Sequence, residues 1–213
     1  MRPSPWLGLF FGLVYTAFFS RAQAEVVYRI DPAHSELVVQ VFKAGIGSAM
    51  AHDHVVRATA YTGQLQMNPT APTTATIAVE VQTSSLQVDE PAVRQKYGLP
   101  TGLSEKDRQE IQATMESQDQ LNVKQNPTMR FTSTRVEQRT EGEYSVTGDL
   151  TIRGITHSVT FPVRVEQRDA AVHAWGSFRF TQSSFGYKPY SALLGAVSNQ
   201  DEVQLHFDIV AIP

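Results

Sequence analysis

The sequence predicts an all-β protein in which about eight antiparallel strands form a barrel, with a short helical insertion between two of them. Three observations favour this fold class. Apolar and polar residues alternate with a period of two over much of residues 25–213, as in strands with one buried face and one wet face. Short glycine-containing connections separate several of these segments. One long segment, residues 89–127, interrupts the alternation.

Residues 1–24 are expected to form a secretory signal peptide. Arg2 supplies a positive charge, residues 6–19 are apolar and uncharged, and Ala22-Gln23-Ala24 matches a cleavage motif, so the mature domain should be residues 25–213. The apolar stretch is shorter than the roughly 20 residues that a membrane-spanning helix needs. An uncleaved N-terminal anchor is the alternative. We therefore expect a periplasmic protein, with secretion as the alternative and no stable membrane insertion after cleavage.

Charge and composition exclude several classes of function. The chain has 18 basic and 21 acidic residues, and residues 1–24 hold two of the basic ones and no acids, which leaves the mature part with a net charge of −5. An acidic protein without a Lys/Arg cluster is a poor candidate for binding nucleic acid or anionic membrane surfaces. The chain has no cysteine. Disulfides, thiolate metal sites and cysteine nucleophiles are therefore excluded.

Eight segments carry the strand pattern. The predicted strands are residues 37–42, 55–67, 77–81, 128–134, 144–152, 155–165, 172–180 and 203–211. Glu141-Gly142 and Arg153-Gly154 lie between alternating segments and predict hairpin turns, so that neighbouring strands should run antiparallel. Closure into a barrel would remove the exposed strand edges, and two stacked sheets are the alternative.

The segment 89–127 is predicted to be a helical excursion. Ser104 and Asp107 have the spacing of a capping box, and Ile111 and Met115 then fall on one face of a helix over residues 104–117. The segment is too long for a hairpin loop. It is interpreted either as a cover over one mouth of the barrel or as a passive surface insertion.

Four sequence runs, in this order and spacing, resemble the YceI-like family of polyisoprenoid-binding periplasmic proteins. The runs are YRIDPAHS at 28–35, NPTMRFTS at 126–133, GDLTIRGIT at 148–156 and SFG at 184–186. The resemblance implies a lipocalin-like barrel with an elongated apolar interior that binds an isoprenoid chain, and it implies export. Two features differ from the usual pattern: residues 119–122 hold only Leu121 where an aromatic-rich stretch is common, and residues 51–54 read AHDH.

Inward-facing residues of the predicted strands are the candidate lipid-binding residues. Each buried methylene gains roughly 0.8 kcal/mol, so a polyisoprenoid needs only an apolar lining and a mouth. The candidate lining is Val39, Val41, Met129, Phe131, Val146, Val159, Phe161, Phe178, Phe180 and Phe207. A second set, Phe185, Leu193 and Leu194, is expected at a rim where it could guide a lipid inward. A fully packed core and a loop folded over the barrel end are the alternatives for the two sets.

Motifs for catalysis are missing from the sequence. There is no nucleophile elbow, phosphate-binding loop, dinucleotide fingerprint or H-E-x-x-H run, so the protein is expected not to be an enzyme and to need no cofactor. His52 and His54 form the sharpest chemical signal: they would share one side of an extended segment and could hold a metal with His34 or Asp53. A polar loop at a barrel mouth, or a hydrogen bond to a quinone-like head group, are the other interpretations.

Three functional hypotheses follow. The first is a non-catalytic periplasmic barrel that sequesters or carries a polyisoprenoid lipid. The second is an exported metal-binding protein centred on His52 and His54. The third is a binding module whose interior is filled and which has no small ligand.

Overall fold

The computed structural model describes residues 25–47 and 51–213, so the expected signal peptide, residues 1–24, lies outside the described residues. Twelve strands and two helices follow one another along this part of the chain. The strands are β1 (Val26–Ile30), β2 (Glu36–Ala44), β3 (His54–Ala58), β4 (Tyr61–Asn68), β5 (Ala71–Gln82), β6 (Leu86–Val88), β7 (Thr128–Thr140), β8 (Glu143–Ile152), β9 (Ile155–Arg168), β10 (Ala171–Thr181), β11 (Ser191–Ala192) and β12 (Val197–Ile212). The helices are α1 (Pro91–Lys96) and α2 (Glu105–Glu116).

The strands form a closed antiparallel barrel, as predicted. The hydrogen-bonded order is β1-β4-β5-β7-β8-β9-β10-β12-β2-β3-β6, and β1 also pairs with β12 to close the ring. Since β1 leads into β2, β3 into β4 and β5 into β6 with only short breaks, the twelve strands amount to eight continuous ones plus the short β11, which pairs with β12. Closure leaves few unpaired strand edges, which explains how so long a sheet avoids edge-to-edge association.

Two neighbouring strands bend at a common level. The predicted strand 55–67 is therefore two strands, β3 and β4, with Thr59 and Ala60 between them. A 3-10 turn, Thr83–Ser85, interrupts the next strand at the same height. The amide of Thr59 donates to the carbonyl of Ser85, and the Ser85 hydroxyl accepts from the amide of Ala60, so each bend satisfies the backbone groups of the other.

A β-bulge changes which residues of β7 face the barrel interior. Met129 and Phe131 point inward, as the alternation predicts, but the pairing with β8 shifts between Ser133 and Arg135. The extra residue moves the next inward position to Val136, which is buried in the barrel. The two predicted hairpins are confirmed: β7 pairs with β8 across Glu141-Gly142, and β8 with β9 across Arg153-Gly154.

The insertion between β6 and β7 contains both helices. The capping box predicted at Ser104 is present, with the Ser104 side chain accepting from the amide of Asp107. Helix α1 packs on the outside of the barrel, where Val93 contacts the buried Val38 and Val55. Neither helix, nor any other in the described part of the chain, is long and apolar enough to span a membrane.

Helix α2 completes the edge of β6. The Gln112 side chain accepts a hydrogen bond from the amide of Val88 at 3.0 Å and donates one to the carbonyl of Leu86 at 2.7 Å. A side-chain amide thus makes the two bonds that a neighbouring strand would have made. The insertion is therefore attached to the barrel wall by backbone-like hydrogen bonds.

Candidate functional site

Inward-facing side chains enclose a cavity of about 760 Å³ in the barrel. This volume lies within the range of about 300–1,000 Å³ that small-ligand pockets occupy in proteins. Most of the lining is aliphatic or aromatic. The cavity is bounded at one end by the buried cluster of Tyr28, Met67, Val172 and Ala211, and at the other end it reaches the surface beside α2 and the partly exposed Tyr190.

One wall of the cavity is aromatic. The Phe161 ring stacks on Phe178 with centroids 4.5 Å apart, and it meets Phe131 at 5.4 Å and Phe207 at 5.6 Å. These rings come from strands that are not all neighbours, so some contacts cross an intervening strand. The crossing is possible because the inward residue of that strand is glycine: a Cβ on Gly148 would lie 2.5 Å from the Phe131 ring, and one on Gly176 would lie 2.7 Å from the Phe207 ring.

The opposite wall is aliphatic. It is built by β2 to β5 and lined by Leu37, Val39, Val41, Val56, Leu65, Ile77, Val79 and Val81. The rings therefore pack along one side rather than across the middle, which leaves the space between the two walls empty of side chains. A branched hydrocarbon chain could contact methyl groups on one side and ring faces on the other.

The structure separates the predicted lining residues into three groups. The residues at the cavity wall are Val39, Val41, Met129, Phe131, Val146, Phe161, Phe178, Phe180 and Phe207. Val159 packs in the wall beside them, against both neighbouring core clusters. Phe185 is buried at 1% exposure with its ring edge-on to Phe180, and it does not line the cavity. Leu193 and Leu194 lie outside, at the tip of the β11–β12 hairpin.

Helix α2 and the residues that follow it contribute to the cavity. Ile111, Thr114 and Met115 line it from the helix, and Leu121 lines it from the segment after the helix. The interpretation of the insertion as a cover over one mouth is supported by these contacts. Leu121 is buried there.

Polar residues of the cavity wall are concentrated at this mouth. The polar lining residues there are His52, His54, Asp107, Glu110, Thr114, Gln120, Gln182, Tyr187, Tyr190 and Asn199. Burial raises the pKa of Tyr187, so its hydroxyl stays protonated and can donate a hydrogen bond at neutral pH. An amphipathic lipid would therefore find apolar surface inside and hydrogen-bonding groups at the entrance.

A buried ionic network fixes one side of the mouth. Asp89, at 0% exposure, accepts hydrogen bonds from the buried Arg94 at 2.6 Å and from the amide of Val55 at 3.1 Å. The His54 Nδ1 lies 2.6 Å from the other carboxylate oxygen. Arg94 also donates to the carbonyls of Asp53 and Pro100, so the network ties the loop before β3 to the insertion.

Burial alone would raise the pKa of Asp89, but the hydrogen bonds that the carboxylate accepts outweigh it and hold the pKa below its usual value. The sequence did not predict this network. Its members come from two stretches of the chain, residues 53–55 and 89–100, and Asp89 followed by Glu90 and Pro91 resembles a polar strand end. The signal that was present is an Arg five residues after a carboxylate.

The metal hypothesis gains no support from the geometry. His52 and His54 both reach the cavity mouth, but one ring nitrogen of His54 is engaged by Asp89. His34 is far along the chain from them and pairs with Asp31. Within residues 25–47 and 51–213, no group of three or more His, Cys, Asp or Glu residues is arranged to hold a metal ion.

Comparison with known proteins identifies the family. The family model of the YceI-like domain matches residues 28–211. The chain belongs to the YceI-like family. Among curated YceI-like relatives, a UPF0312 protein of Pseudomonas putida strain W619 is 29% identical over 68% of this chain and 66% of its own length. A UPF0312 protein of Shewanella denitrificans is 32% identical over 35% of this chain and 42% of its own length. The chain thus spans about two thirds or less of these relatives.

Solved structures of other proteins share the fold. Burkholderia cenocepacia BcnA superposes with a TM-score of 0.65 at 20% identity, covering 85% of this chain and 98% of that one. A Campylobacter jejuni YCEI protein superposes with a TM-score of 0.56 at 14% identity, covering 74% of this chain and 84% of that one. The family predicted from the four sequence runs and the closed barrel predicted from the alternation are both confirmed.

Proposed function

We propose that this YceI-like protein is a non-catalytic lipid carrier of the periplasm that holds a polyisoprenoid, or a quinone-like lipid with such a tail, inside its barrel. The observation that carries the proposal is the cavity of about 760 Å³ between an aromatic and an aliphatic wall. A filled interior, which the binding-module hypothesis requires, is at odds with this cavity. The family and the expected signal peptide at residues 1–24 support the assignment to an exported lipid carrier.

Burial of hydrocarbon supplies the driving force. A chain that transfers several methylene or methyl groups from water to the cavity gains roughly 0.8 kcal/mol for each group, so a long isoprenoid needs no covalent or ionic anchor. The polar residues at the mouth would accommodate a hydroxyl or quinone oxygen. No step in binding or release needs a nucleophile, a metal or a cofactor.

A matched pair of tryptophan variants tests the proposal. Val79 on β5 lines the cavity, whereas the adjacent Ala78 is exposed on the outer face. Delipidated wild type, Val79→Trp and Ala78→Trp are offered the polyprenol solanesol, repurified and extracted with organic solvent. Circular dichroism and thermal unfolding establish that each variant is folded.

Wild type and Ala78→Trp should retain solanesol in near-stoichiometric amounts, and Val79→Trp should retain at least about tenfold less because an indole fills the interior. Equal retention by the two folded variants would show that the lipid binds elsewhere. No retention by wild type, whether freshly purified or delipidated, would refute the proposed function.

A further inference from the structure

Two hairpin tips beside the cavity mouth expose large apolar side chains. We define the tip patch as Ile46, Tyr190, Leu193 and Leu194, which are 98%, 41%, 69% and 110% exposed. Ile46 follows β2, and the others belong to the connection from β10 to β12. Scattered apolar residues on a surface are ordinary, but adjacent ones at a cavity entrance indicate an interaction site.

The backbone holds the two tips together. The amide of Gly47 donates to the carbonyl of Ala196 at 2.8 Å, and a Cβ on Gly45 would overlap that same carbonyl oxygen. Leu193 and Leu194 both have positive φ, at 50° and 53°, a conformation that bulky residues rarely adopt. The fold therefore keeps these two leucines in solvent at a position where glycine or asparagine would be easier to accommodate.

The tips carry no net charge. No acidic residue occurs between Phe42 and Asp53 or between Gln182 and Asp201, although both stretches contain a lysine, Lys43 and Lys188. The flanking acids, Asp53 and Asp201, each accept a hydrogen bond from a backbone amide, and they balance the two lysines. Since Asp107 and Glu110 also line this mouth, apolar contact and not charge must supply the affinity of the tip patch.

The tip patch is continuous with the cavity. Tyr190 belongs to both, since it is exposed and also lines the cavity, and Asn199 lines the cavity just behind the tips. The tips lie on the β12–β2 side of the barrel, and α2 packs on β6, which is separated from β2 by β3. A lipid leaving between these two sides would pass over the tip patch.

We propose that the tip patch docks on the surface of a lipid bilayer, with Ile46, Leu193 and Leu194 inserted among the head groups and acyl chains. Because the patch lies beside the cavity mouth, its insertion orients the mouth towards the bilayer. This proposal rests on the lipid-carrier function, because docking would let the lipid pass between bilayer and cavity without crossing water.

Vesicle sedimentation tests the docking. Wild type, Leu193→Asp/Leu194→Asp and Ile212→Asp are mixed with vesicles of phosphatidylcholine containing about one third phosphatidylglycerol, and with pure phosphatidylcholine vesicles. Ile212 is a matched control, since it is an exposed apolar residue at the other end of β12. Thermal unfolding checks the folding of each variant.

Wild type and Ile212→Asp should bind both kinds of vesicle alike, because apolar insertion drives the contact, and the double variant should bind both at least about tenfold more weakly. Equal binding by wild type and the double variant, or none by wild type, would overturn the proposal. A third outcome is that wild type self-associates in a concentration-dependent manner without binding vesicles, and that only the double variant abolishes this self-association. That result would show that the tip patch binds a second copy of the chain, and it would also overturn the docking proposal.

A separate readout distinguishes failure of docking from failure of the lipid-carrier function. Solanesol delivered in ethanol needs no membrane contact, so the double variant should take it up as wild type does. Solanesol delivered in the mixed vesicles should enter the double variant at least about tenfold more slowly. Normal uptake by the double variant from both sources would refute docking alone. No uptake by wild type from either source would refute the lipid-carrier function.

Discussion

Replacing the buried carboxylate of Asp89 should destabilise the protein far more than replacing a surface carboxylate with the same ion-pair geometry. Asp89→Asn keeps the shape of the side chain, and asparagine tolerates the positive φ of 54° found there. What it removes is the negative charge beside the Arg94 guanidinium, whose side chain is 2% exposed. Leaving such a buried charge without its partner costs about 3–5 kcal/mol.

The control is Glu80→Gln. Glu80 pairs with Arg130 at 2.7 Å, close to the 2.6 Å of the Asp89 pair, but these side chains are 36% and 63% exposed. A surface pair of this kind is worth under about 1 kcal/mol, because water and salt screen it. The ion-pair distance is thus nearly the same at the two sites, and the burial of the pair is what differs.

Thermal unfolding followed by circular dichroism measures the difference. At about 2–4 °C per kcal/mol for a chain of this length, Asp89→Asn should lower the Tm by about 6–20 °C and Glu80→Gln by at most about 4 °C. Similar small shifts for both would refute the interpretation of Asp89, Arg94 and His54 as a structural network. Arg94→Gln in the Asp89→Asn background should recover part of the loss, because it removes the unpaired charge.

Three further predictions concern the pH dependence, the glycines and the cover. Since hydrogen bonding holds the pKa of Asp89 below the usual aspartate value of 3.8, its contribution to stability is complete above about pH 5 and is lost as pH falls through the folded pKa. Acid titrations should show the wild type and Asp89→Asn stabilities converging below about pH 4. Gly176→Ala should cost about 1–3 kcal/mol in urea unfolding, because the new Cβ would lie 2.6 Å from the Pro162 carbonyl oxygen and 2.7 Å from the Phe207 ring. No change would mean that both the backbone and the aromatic wall can move aside at this position. Gln112→Met should lower the free energy of unfolding by about 1–3 kcal/mol, because it leaves backbone groups of β6 unpaired. The variant should also release solanesol faster, and an unchanged release rate would show that α2 does not cover the mouth.

Local alternation predicted the strands because burial on one face repeats every second residue. It failed where backbone groups required a different path. The bulge after Ser133 moves Val136 inward, and the bend at Thr59 and Ala60 depends on a partner, Ser85, about 25 residues away. Such breaks are set by contacts between strands, which periodicity along one strand does not contain.

The cavity wall was largely predictable, since inward residues of a barrel line its interior whether or not space remains between them. The space itself was not predictable. It depends on Gly148 and Gly176, whose missing side chains leave room at the wall for the Phe131 and Phe207 rings. The Asp89 network was missed because a buried carboxylate is recognised by its partners, and two of these, His54 and Val55, lie 35 and 34 residues away along the chain.

Native mass spectrometry of the protein purified from its native host tests the central claim most directly. If the barrel carries a polyisoprenoid, the folded protein should retain an added mass that organic solvent releases as a single apolar lipid or a short homologous series, and solanesol should restore an added mass. A bare polypeptide mass in every preparation, unchanged by solanesol, would contradict the claim that the cavity between the two walls is a lipid site.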